Sequence, residues 1–405
     1  VSLHSLLTVN AKMVISAPPP PYDDPSLTDP LVCPPLRWGM LGCGRVSHDF
    51  TQALKHLPTQ SVVACSARNL ESAEAFANKH GIRNYYGTYD EMLTNPDIDI
   101  VYIGNVHSFR RQTVTKCLMA NKNLLVEKPF ACSLADGEYL ISLAKERNLF
   151  IMEGMWTRFF PAVQKARDLM MGSASQESVL GEISKVYSDF NFYAPDNEEY
   201  PTSFFYNRKL GGGASFLVAP YPIAAATLCF KNPPESIKVV GQKDEATGVD
   251  IQGAMIISFP PTGTTHDGKC PKLPGAGIAC LSFGFTCETA EETSVVGSKG
   301  RLKIETPSHC PTKVSIQLKA DGRGEVNQEE TFEYPLPEDT EEIKAAGGFM
   351  YPNSAGFIYE AAAVARCIAA GKKEVPQYTL EETLWNLRLV EEVRNQLGVR
   401  PITED

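Results

Sequence analysis

The sequence predicts an α/β protein with two sheets: an N-terminal doubly wound parallel sheet, then an α/β domain with a large, open, mainly antiparallel sheet. Strand and helix patterns alternate between residues 36 and 153, which is typical of parallel sheets. A Gly-x-Gly turn joins the first strand to the first helix. Beyond residue 153, apolar and polar residues alternate with period two, which indicates antiparallel strands. We therefore predict an extended Pro-rich tail over 1–35, a Rossmann domain over 36–153 and a second domain over 154–405.

The composition fits a chain with a sizeable core and excludes several kinds of partner. Of 405 residues, 43% are hydrophobic and 21% charged, and the formal net charge is -10. An acidic balance argues against nucleic acid or an anionic membrane as the main partner, and no apolar run approaches the ~20 residues of a membrane helix. The eleven cysteines include no Cys-x-x-Cys pair, which predicts reduced thiols in a cytoplasmic protein. No His, Asp or Glu set has metal-ligand spacing, so we expect no metal.

The elements of the first domain follow from local patterns. A short apolar strand is predicted at 37–41, and Ser61–Ala67 is the second strand. Asn69 is placed to cap a helix that Gly81 ends. Three further strands and two helices complete the alternation: strands at 99–103, 124–126 and 149–152, and helices at 110–120 and from Ser133 to about 147. The proline-rich tail before them is either a tether on the surface or a partner-binding segment.

The second domain is predicted from period-two runs and two helix signals. The clearest strand runs are 183–192, 251–259, 278–286 and 314–318. An apolar, helix-like stretch at 214–228 follows three glycines, and 260–274 has the composition of a surface loop. Near the end, one helix spans 357–370 and another begins at the capping box of Thr379 and Glu382 and ends at Gly398.

The turn Gly42-Cys43-Gly44 lies between a strand and a helix, which is the context that a dinucleotide fingerprint requires. The first glycine allows a tight turn, and the second lets a pyrophosphate approach the backbone at the helix N-terminus. We expect Gly42, Gly44, Arg45 and Val46 to contact the cofactor. The third fingerprint position is Ser47, a departure that leaves a plain tight turn as the alternative.

The end of the second strand indicates which dinucleotide would bind. A site for NAD places Asp or Glu near this point to bind the ribose 2′-hydroxyl, but this chain has Ser66 and Arg68. A guanidinium can form a bidentate pair with a 2′-phosphate. The sequence therefore predicts NADP, with a solvated arginine as the alternative.

A lysine follows the buried strand at 124–126, in the sequence Glu127-Lys128-Pro129. Pro129 favours an extended or turn conformation for Lys128. Open α/β sheets bind their ligands at the carboxyl ends of strands, and a partly desolvated ammonium there can polarise an alcohol or carbonyl. The alternative is a surface lysine in a strand–helix turn.

Four segments together resemble the Gfo/Idh/MocA oxidoreductase family, over about residues 36–399. They are Arg37–Arg45, Ser66–Arg68, Glu127–Pro129 and Met152–Pro161. The last segment, with its Trp-Thr-Arg-Phe-Phe-Pro run, is similar to the branch that contains dimeric dihydrodiol dehydrogenases and NADP-dependent D-xylose dehydrogenases. The resemblance implies an NADP-dependent dehydrogenase that acts on a sugar or cyclic diol, and a homodimer.

The resemblance also implies two catalytic residues. Lys128 matches the family's lysine, and Tyr221 matches its tyrosine. Leu217 and Ala219 stand where the family has aspartate and glycine, and Arg110 stands where it usually has histidine. A phenol beside an ammonium can remove a hydroxyl proton near neutral pH, because the cation lowers the phenol pKa. We expect Tyr221 to be the base in oxidation and Lys128 to stabilise the developing alkoxide.

The remaining cofactor contacts are predicted around the ends of the parallel strands. They are Gly104, Asn105, His107, Glu127, Trp156 and Arg158. Trp156 and Arg158 are expected to line the nicotinamide or substrate end, although Trp156 has the alternative of a core aromatic. The other histidines are expected to be surface residues or satisfied residues: His4, His48, His56, His80, His266 and His309.

Two other functions stay open at this point. One is an enzyme of the same family that acts on another carbohydrate, such as an anhydro-sugar or inositol. The other is a dinucleotide-binding regulatory protein without turnover, which Leu217 favours and which Lys128 with Tyr221 disfavours.

Overall fold

Two sheets organise the chain, and the computed structural model describes most of it. The described residues are 32–172, 178–194, 200–230, 232–261, 265–266, 271–272, 275–319, 326–400 and 402. The predicted tail over 1–35 therefore lies largely outside the described residues, as does most of the loop predicted at 260–274. Two short paired strands of that loop are described, Thr265–His266 and Pro271–Lys272.

The first sheet has six strands, all parallel, in the order β3-β2-β1-β4-β5-β6. Their bounds are Leu36–Leu41 (β1), Gln60–Ser66 (β2), Asn84–Tyr86 (β3), Ile100–Ile103 (β4), Asn123–Glu127 (β5) and Ile151–Gly154 (β6). The predicted doubly wound sheet is confirmed. The chain reverses its direction of winding between β1 and β4, and ligands bind at such a switch point. The sequence prediction missed β3, because three residues are too few to show a pattern.

Two of the helices between these strands begin at the predicted caps Asn69 and Ser133, and the short helix Tyr89–Leu93 was not predicted. The helices are Arg45–Leu54 (α1), Leu70–His80 (α2), Tyr89–Leu93 (α3), Arg110–Met119 (α4) and Leu134–Glu146 (α5). The Asn69 side chain accepts from the Ser72 amide at 2.8 Å, and Gly81 has the left-handed φ of 71° that ends α2. Local capping chemistry therefore fixes these boundaries.

The second sheet has eight strands, in the order β16-β15-β14-β13-β7-β12-β9-β8. With β10 and β11 as the short pair above, the bounds are Ile183–Asn191 (β7), Ser236–Lys243 (β8), Asp250–Phe259 (β9), Gly277–Gly284 (β12), Thr293–Gly297 (β13), Gly300–Ile304 (β14), Lys313–Lys319 (β15) and Val326–Glu333 (β16). Only the β7–β12 pair is parallel, so the predicted mainly antiparallel sheet is confirmed.

Four strands of this sheet were missed, and two of them are its edges. The edge strand β16 has the sequence Val-Asn-Gln-Glu-Glu-Thr-Phe-Glu, whose charge hides the alternation. Charged side chains are common on edge strands, where they discourage pairing with another chain. Of the other missed strands, β8 and β13 lack a strict alternation of apolar and polar residues, whereas β14 alternates over only five residues.

The apolar stretch predicted as one helix over 214–228 is two helices. α7 spans Ala214–Leu217, and α8 spans Pro220–Cys229, with α6 before them at Pro161–Met171. Pro220 has no amide hydrogen and is favoured in the first turn of a helix, so it ends one helix and begins the next. The break leaves the Leu217 carbonyl available to a partner outside the helix.

The C-terminal helices connect the two sheets. After the short helix Glu341–Ala345 (α9) come Phe357–Ala369 (α10) and Leu380–Leu397 (α11). The predicted capping box of Thr379 and Glu382 is present. α11 packs against α5 from the first sheet and β8 from the second, while α10 packs against α1. These contacts hold the carboxyl edge of the first sheet beside α7 and α8.

In the part of the chain that the structure describes, no single helix has the length and apolarity to cross a membrane. The segments Arg208–Leu217 and Pro220–Cys229 meet those criteria only together, and they are bent by 43°.

Candidate active site

The glycine turn leaves open space at the N-terminus of α1. Gly42 has φ +92°, and a Cβ there would lie 2.8 Å from the Asn105 amide nitrogen, so only glycine fits. A Cβ at Gly44 would meet nothing within 4 Å. No side chain caps α1 and no acid lies in its first turn, so its first amides and positive field face this space. Arg45 is exposed beside it, whereas Val46 packs partly against the core.

The two polar residues at the end of β2 have different environments. The buried Ser66 hydroxyl donates to the Tyr86 carbonyl at 3.1 Å. This bond ties β2 to β3, so the hydroxyl is engaged inside the fold. Arg68 is exposed, and within the described ranges no hydrogen bond or ion pair engages it. Its guanidinium is therefore available to an anionic ligand.

Two buried polar atoms near the ends of β1 and β4 have no partner in the described part of the chain. They are the Ser47 hydroxyl and the Asn105 side-chain carbonyl oxygen. A Cβ at Gly104 would lie 2.2 Å from the Ser47 hydroxyl, so this turn also requires glycine. Buried polar atoms are rarely left without a hydrogen bond. Together with the open glycine turn and the free Arg68, they fit the polar groups of a phosphorylated dinucleotide.

Lys128 follows a strand of the first sheet, Tyr221 lies on α8, and the two side chains meet at one place. The Lys128 ammonium donates to the Leu217 carbonyl at 2.6 Å and lies 4.6 Å from the centre of the Tyr221 ring. Lys128 directly follows β5, and the peptide bond from Lys128 to Pro129 is cis. Burial lowers the pKa of Lys128 to about 8, although the Glu127 carboxylate opposes that shift. The ammonium is thus desolvated and pressed against the ring of a phenol.

The phenol of Tyr221 differs from the prediction in its acidity. We expected the neighbouring cation to lower its pKa, but burial raises the pKa of Tyr221 well above its ordinary value, and Glu127 adds to the rise. Lys128 lies over the face of the ring, where it makes a cation–π contact. The Trp156 indole lies near the hydroxyl and opposes part of the rise. Tyr221 is therefore a neutral phenol at pH 7, ready to donate a proton.

Arg110 holds the turn that carries Lys128. Its buried guanidinium donates to the carbonyls of Glu127 and Pro129, on either side of the lysine. It also donates to the Asn105 carbonyl at 3.2 Å. The arginine that replaces the family's usual histidine is thus a backbone clamp. It fixes the turn on both sides of Lys128.

Leu217 supplies an acceptor through its main chain. The leucine side chain cannot bind an ammonium, but its carbonyl accepts from Lys128 because α7 ends there. The position therefore still orients the lysine, without adding a second negative charge.

Two residues predicted to contact the cofactor are turned inward. Glu127 is buried and accepts from the Tyr102 hydroxyl at 2.8 Å and from the Lys128 amide at 3.1 Å. The buried His107 ring has Nε2 at 2.8 Å from the Gly211 carbonyl, and burial lowers its pKa to about 3. His107 is therefore a neutral link between the first sheet and the glycine segment before α7.

Arg158 does not reach the nicotinamide end as predicted. Its guanidinium is buried and donates to the Ala224 carbonyl at 2.7 Å and to Glu382 at 2.9 Å. It also donates to the hydroxyl of Thr227 and the carbonyl of Gln377. All of these acceptors lie on or next to α8 and α11, so Arg158 joins those helices.

Trp156 is a buried aromatic that also borders the site. Its ring stacks on Phe357 at 4.3 Å between centroids. Its indole nitrogen is buried near the Tyr221 hydroxyl. Trp156 is therefore a core aromatic, as one alternative predicted, and it also borders the site, as the other predicted.

Sequence reasoning missed three acidic or basic residues around this site. Glu360 on α10 is fully buried, neither carboxyl oxygen has a partner among the described residues, and burial raises its pKa well above the ordinary value. Asp49 on α1 accepts from the Met350 and Tyr351 amides at 2.8 and 2.9 Å and so holds that segment beside α1. His309 lies against Tyr221, at 5.5 Å between ring centroids. An acid inside an apolar helix was a signal for Glu360; His309 gave none.

A glycine turn at the switch point of a parallel sheet, beside a second open sheet, is the architecture of a Rossmann-fold oxidoreductase. Comparison with known proteins gives the family. Residues 36–155 match the model "Oxidoreductase family, NAD-binding Rossmann fold", and residues 169–303 match the "GFO/IDH/MocA C-terminal domain". The chain belongs to the Gfo/Idh/MocA oxidoreductase family, as the motifs predicted.

Individual relatives agree over nearly the whole chain. Trans-1,2-dihydrobenzene-1,2-diol dehydrogenase of Sus scrofa is 33% identical over 367 residues, which are 90% of this chain and 97% of that protein. Two solved structures share the fold. The 3-ketoreductase KijD10 of Actinomadura kijaniata, solved with NADP and TDP-benzene, has a TM-score of 0.69 at 23% identity and covers 89% of this chain and 98% of its own. A levoglucosan dehydrogenase solved with NADH and levoglucosan has a TM-score of 0.72 at 16% identity and covers 90% and 97%.

Proposed function

We propose that the protein is an NADP-dependent dehydrogenase that moves a hydride reversibly between NADP and a hydroxyl-bearing carbon of a cyclic diol or sugar. The observation that carries the proposal is the contact between the Lys128 ammonium and the Tyr221 ring at the carboxyl end of the first sheet. The relative from Sus scrofa, named for a trans-dihydrodiol, favours a cyclic vicinal diol. D-xylose and related aldopyranoses, with a lactone as product, are the next substrates that we would test.

The cofactor would lie along the carboxyl ends of β1, β2 and β5. The backbone of Gly42 and Gly44 and the first amides of α1 would hold the pyrophosphate, with Arg45 nearby. Arg68 would pair with the 2′-phosphate, because the end of β2 offers a free guanidinium and no carboxylate to a ribose hydroxyl. The KijD10 structure contains NADP and the levoglucosan dehydrogenase structure contains NADH, so the choice of cofactor needs a direct test.

The chemistry divides between the cofactor and two side chains. NADP supplies the hydride acceptor or donor when it is bound. In reduction the neutral phenol of Tyr221 would donate its proton to the carbonyl oxygen, and in oxidation Tyr221 would have to lose that proton before it takes the proton of the substrate hydroxyl. The Lys128 ammonium would stabilise the developing alkoxide and the phenolate, with greater effect in a desolvated site than in water. The Leu217 carbonyl and the Arg110 clamp keep the ammonium in place.

A dinucleotide-binding protein without turnover is the second candidate. The specific observation for it is Leu217, which puts an alkyl side chain where the family has a carboxylate. Mixing the protein with NADP+ and a panel of trans-diols, aldopyranoses and polyols, and following NADPH fluorescence, separates the two. Turnover that disappears in Lys128→Met would agree with the enzyme. Cofactor binding without turnover on any compound would favour the regulator.

We also propose a homodimer that pairs through the open face of the second sheet. Four large apolar side chains are exposed on neighbouring strands of that face: Val240 (72% exposed), Ile256 (54%), Tyr187 (47%) and Ile278 (36%). A contiguous exposed apolar patch commonly marks a protein interface. Val240→Lys with Ile256→Lys should halve the mass found by sedimentation. An unchanged mass would place the interface elsewhere, or show that the wild type is a monomer.

The domain boundaries at 36–153 and 154–405 and the cytoplasmic location stay predictions. The location follows from the eleven cysteines without Cys-x-x-Cys pairs.

A further inference from the structure

The single turn of α7 ends at the carbonyl that holds Lys128. The Leu217 carbonyl accepts from the Lys128 ammonium at 2.6 Å. Because α7 spans only Ala214–Leu217 and is closed by the bond from the Val218 amide to the Ala214 carbonyl at 2.9 Å, a shift of its first residues also moves its last carbonyl. Whatever fixes the start of α7 therefore fixes the acceptor of the lysine.

Asp250, the first residue of β9, holds the start of α7. Its Oδ2 accepts from the Ser215 amide at 2.5 Å, and its Oδ1 accepts from the Ser215 hydroxyl at 2.9 Å. The carboxylate is fully buried. Gly213 has φ +116°, and a Cβ there would lie 2.5 Å from Asp250 Oδ1, so this close approach requires glycine. Both oxygens of the carboxylate are thus used to fix the first residues of the helix.

Arg394 on α11 balances the charge of this buried carboxylate. Its Nη1 donates to the Ser215 hydroxyl at 3.2 Å and lies 3.5 Å from Asp250 Oδ1. The two charged side chains are only 7% and 0% exposed. Burial raises the pKa of Asp250, and the guanidinium of Arg394 opposes that rise. Each charge depends on the other, because the loss of one partner would leave an uncompensated buried charge.

The Phe216 ring fixes α7 from the side. The Arg394 guanidinium lies 4.1 Å from the centre of this ring, and the His107 ring lies 5.2 Å from it between centroids. His107 Nε2 is also 2.8 Å from the Gly211 carbonyl, three residues before α7. The groups that hold α7 therefore come from β9 and α11 on one side and from the segment after β4 on the other.

We propose that Asp250 is a positioning residue that, by holding the start of α7, places the Leu217 carbonyl on the Lys128 ammonium. The ammonium is thereby kept 4.6 Å from the centre of the Tyr221 ring. The catalytic consequence rests on the proposed function, in which Lys128 stabilises the developing alkoxide. The contact between α7 and the lysine exists in the protein without that function, so it has a test of its own.

The first test measures the pKa of Lys128 and needs no turnover. Asp250→Asn keeps the size of the side chain but turns one acceptor oxygen into an amide NH2 group, so one bond to Ser215 is lost. Burial lowers the pKa of Lys128 to about 8, and an acceptor bound to the ammonium favours its charged form. We expect the pKa to fall by a further half pH unit or about that, because the Leu217 carbonyl moves away. Competitive acetylation of the full chain against pH, read by peptide mass spectrometry, follows the free amine.

The environment of Lys128 makes this measurement specific. In the described part of the chain, the charged or titratable groups that face it are Glu127, Glu153, Arg110, His107 and Tyr221. Asp250 is not among them, so its effect on the lysine passes through α7. The matched control is Asp99→Asn, because Asp99 also accepts from a main-chain amide and a guanidinium, those of Arg37 at 2.9 and 3.0 Å. Asp99 lies just before β4, at the amino edge of the first sheet, and its variant should leave the pKa of Lys128 unchanged.

The second test separates positioning from stability. In Asp250→Asn we expect kcat to fall by about 10-fold or more, since a 1 Å misplacement can cost about 10²-fold, while NADP affinity stays within about twofold. Asp250→Asn combined with Arg394→Met removes both buried charges, so its resistance to urea should return towards that of the wild type. The carboxylate that fixes α7 is still missing, and kcat and the pKa of Lys128 should therefore stay low. If Asp250→Asn alone does not fold, the double variant carries the same comparison with the wild type.

The outcomes separate this inference from the proposed function. A wild type that turns over no diol or sugar sinks the proposed function, and acetylation of Lys128 then still decides whether Asp250 sets the lysine. An unchanged pKa of Lys128 in the Asp250 variants overturns the inference even if the enzyme is active. A double variant whose kcat recovers together with its stability overturns it as well, because Asp250 would then act only on the stability of the fold.

Discussion

Replacing Arg110 by Met should destabilise the turn that carries Lys128. The guanidinium, 3% exposed, donates to two buried carbonyls, those of Glu127 and Pro129, and to the half-buried carbonyl of Asn105. Methionine has a similar length and no donor, so it fills much of the space and satisfies none of these groups. The loss of stability therefore measures mainly the missing hydrogen bonds of Arg110 and only to a small extent the creation of a cavity.

The magnitude follows from the stranded carbonyls. A buried acceptor without a partner costs about 1–3 kcal/mol, so the two buried carbonyls together give about 3 kcal/mol or more, to which the half-buried Asn105 carbonyl adds little. The cost of burying the cation, seen in its lowered pKa, is recovered and limits the loss. Because Arg110 also helps to lower the pKa of Lys128, the lysine pKa should rise above about 8 in the variant. We expect a large fall in kcat as Lys128 loses its fixed position.

Urea unfolding at pH 7 measures the free energy, and the neighbouring arginine is the control. Arg111 pairs with Asp136 on the surface, its side chain is 56% exposed, and Arg111→Met should cost less than about 1 kcal/mol. If Arg110→Met costs no more than Arg111→Met, the clamp is not what holds the turn, and the argument about Lys128 loses its basis.

Three further predictions test neighbouring groups. Arg68→Ala should weaken NADP binding by about 1.5–3 kcal/mol, the range for a hydrogen bond to a charged group, and barely change NAD binding; equal losses in titrations of both cofactors would count against the 2′-phosphate contact. Burial raises the pKa of Glu153 from 4.5 to about 7, so the folded state keeps a proton that the unfolded state loses, and stability falls as pH rises through that window. Glu153→Gln should therefore gain up to about 3 kcal/mol over wild type at pH 8 and nothing near pH 4; a gain that is the same at both pH values in urea melts would refute the linkage. Lys128→Met should abolish turnover while fluorescence titration still shows most of the NADP affinity, since the phosphates would bind elsewhere; unchanged turnover would remove Lys128 from the mechanism.

Local chemistry explains which parts of the fold the sequence revealed. The alternation of strand and helix, the Asn69 cap and the Thr379–Glu382 box are decided by residues close together in the chain, so they could be predicted. The break between α7 and α8 could also have been predicted, because Pro220 favours the first turn of a new helix. Edge strands such as β16 carry charged residues that discourage pairing with another chain. Their sequence therefore does not show the alternation that reveals a buried face.

The site depended on contacts between distant residues. Lys128 and Leu217 are 89 positions apart in the sequence. Only the resemblance to a family predicted that Lys128 and Tyr221 belong to one site. His107 was predicted as a ligand contact because it follows a strand, and Arg158 because it lies in a segment that resembles the family, but the fold directs them to Gly211 and to Glu382. A side chain's donors can be assigned to a ligand only after the internal partners are known.

The prediction of a lowered pKa for the Tyr221 phenol was wrong for a related reason. From sequence, a nearby ammonium suggested a lowered pKa for Tyr221; in the fold, burial outweighs the cation, which lies over the ring face. A neighbouring charge predicts the direction of a pKa shift only when the burial of the group is also known.

A crystal structure of the protein with NADP+ tests the central claim most directly. We expect the nicotinamide ring to lie beside the Lys128 ammonium and the Tyr221 hydroxyl, with the pyrophosphate at Gly42–Gly44 and the 2′-phosphate on Arg68. A dinucleotide bound in another cleft, or a nicotinamide ring remote from both side chains, would contradict the account.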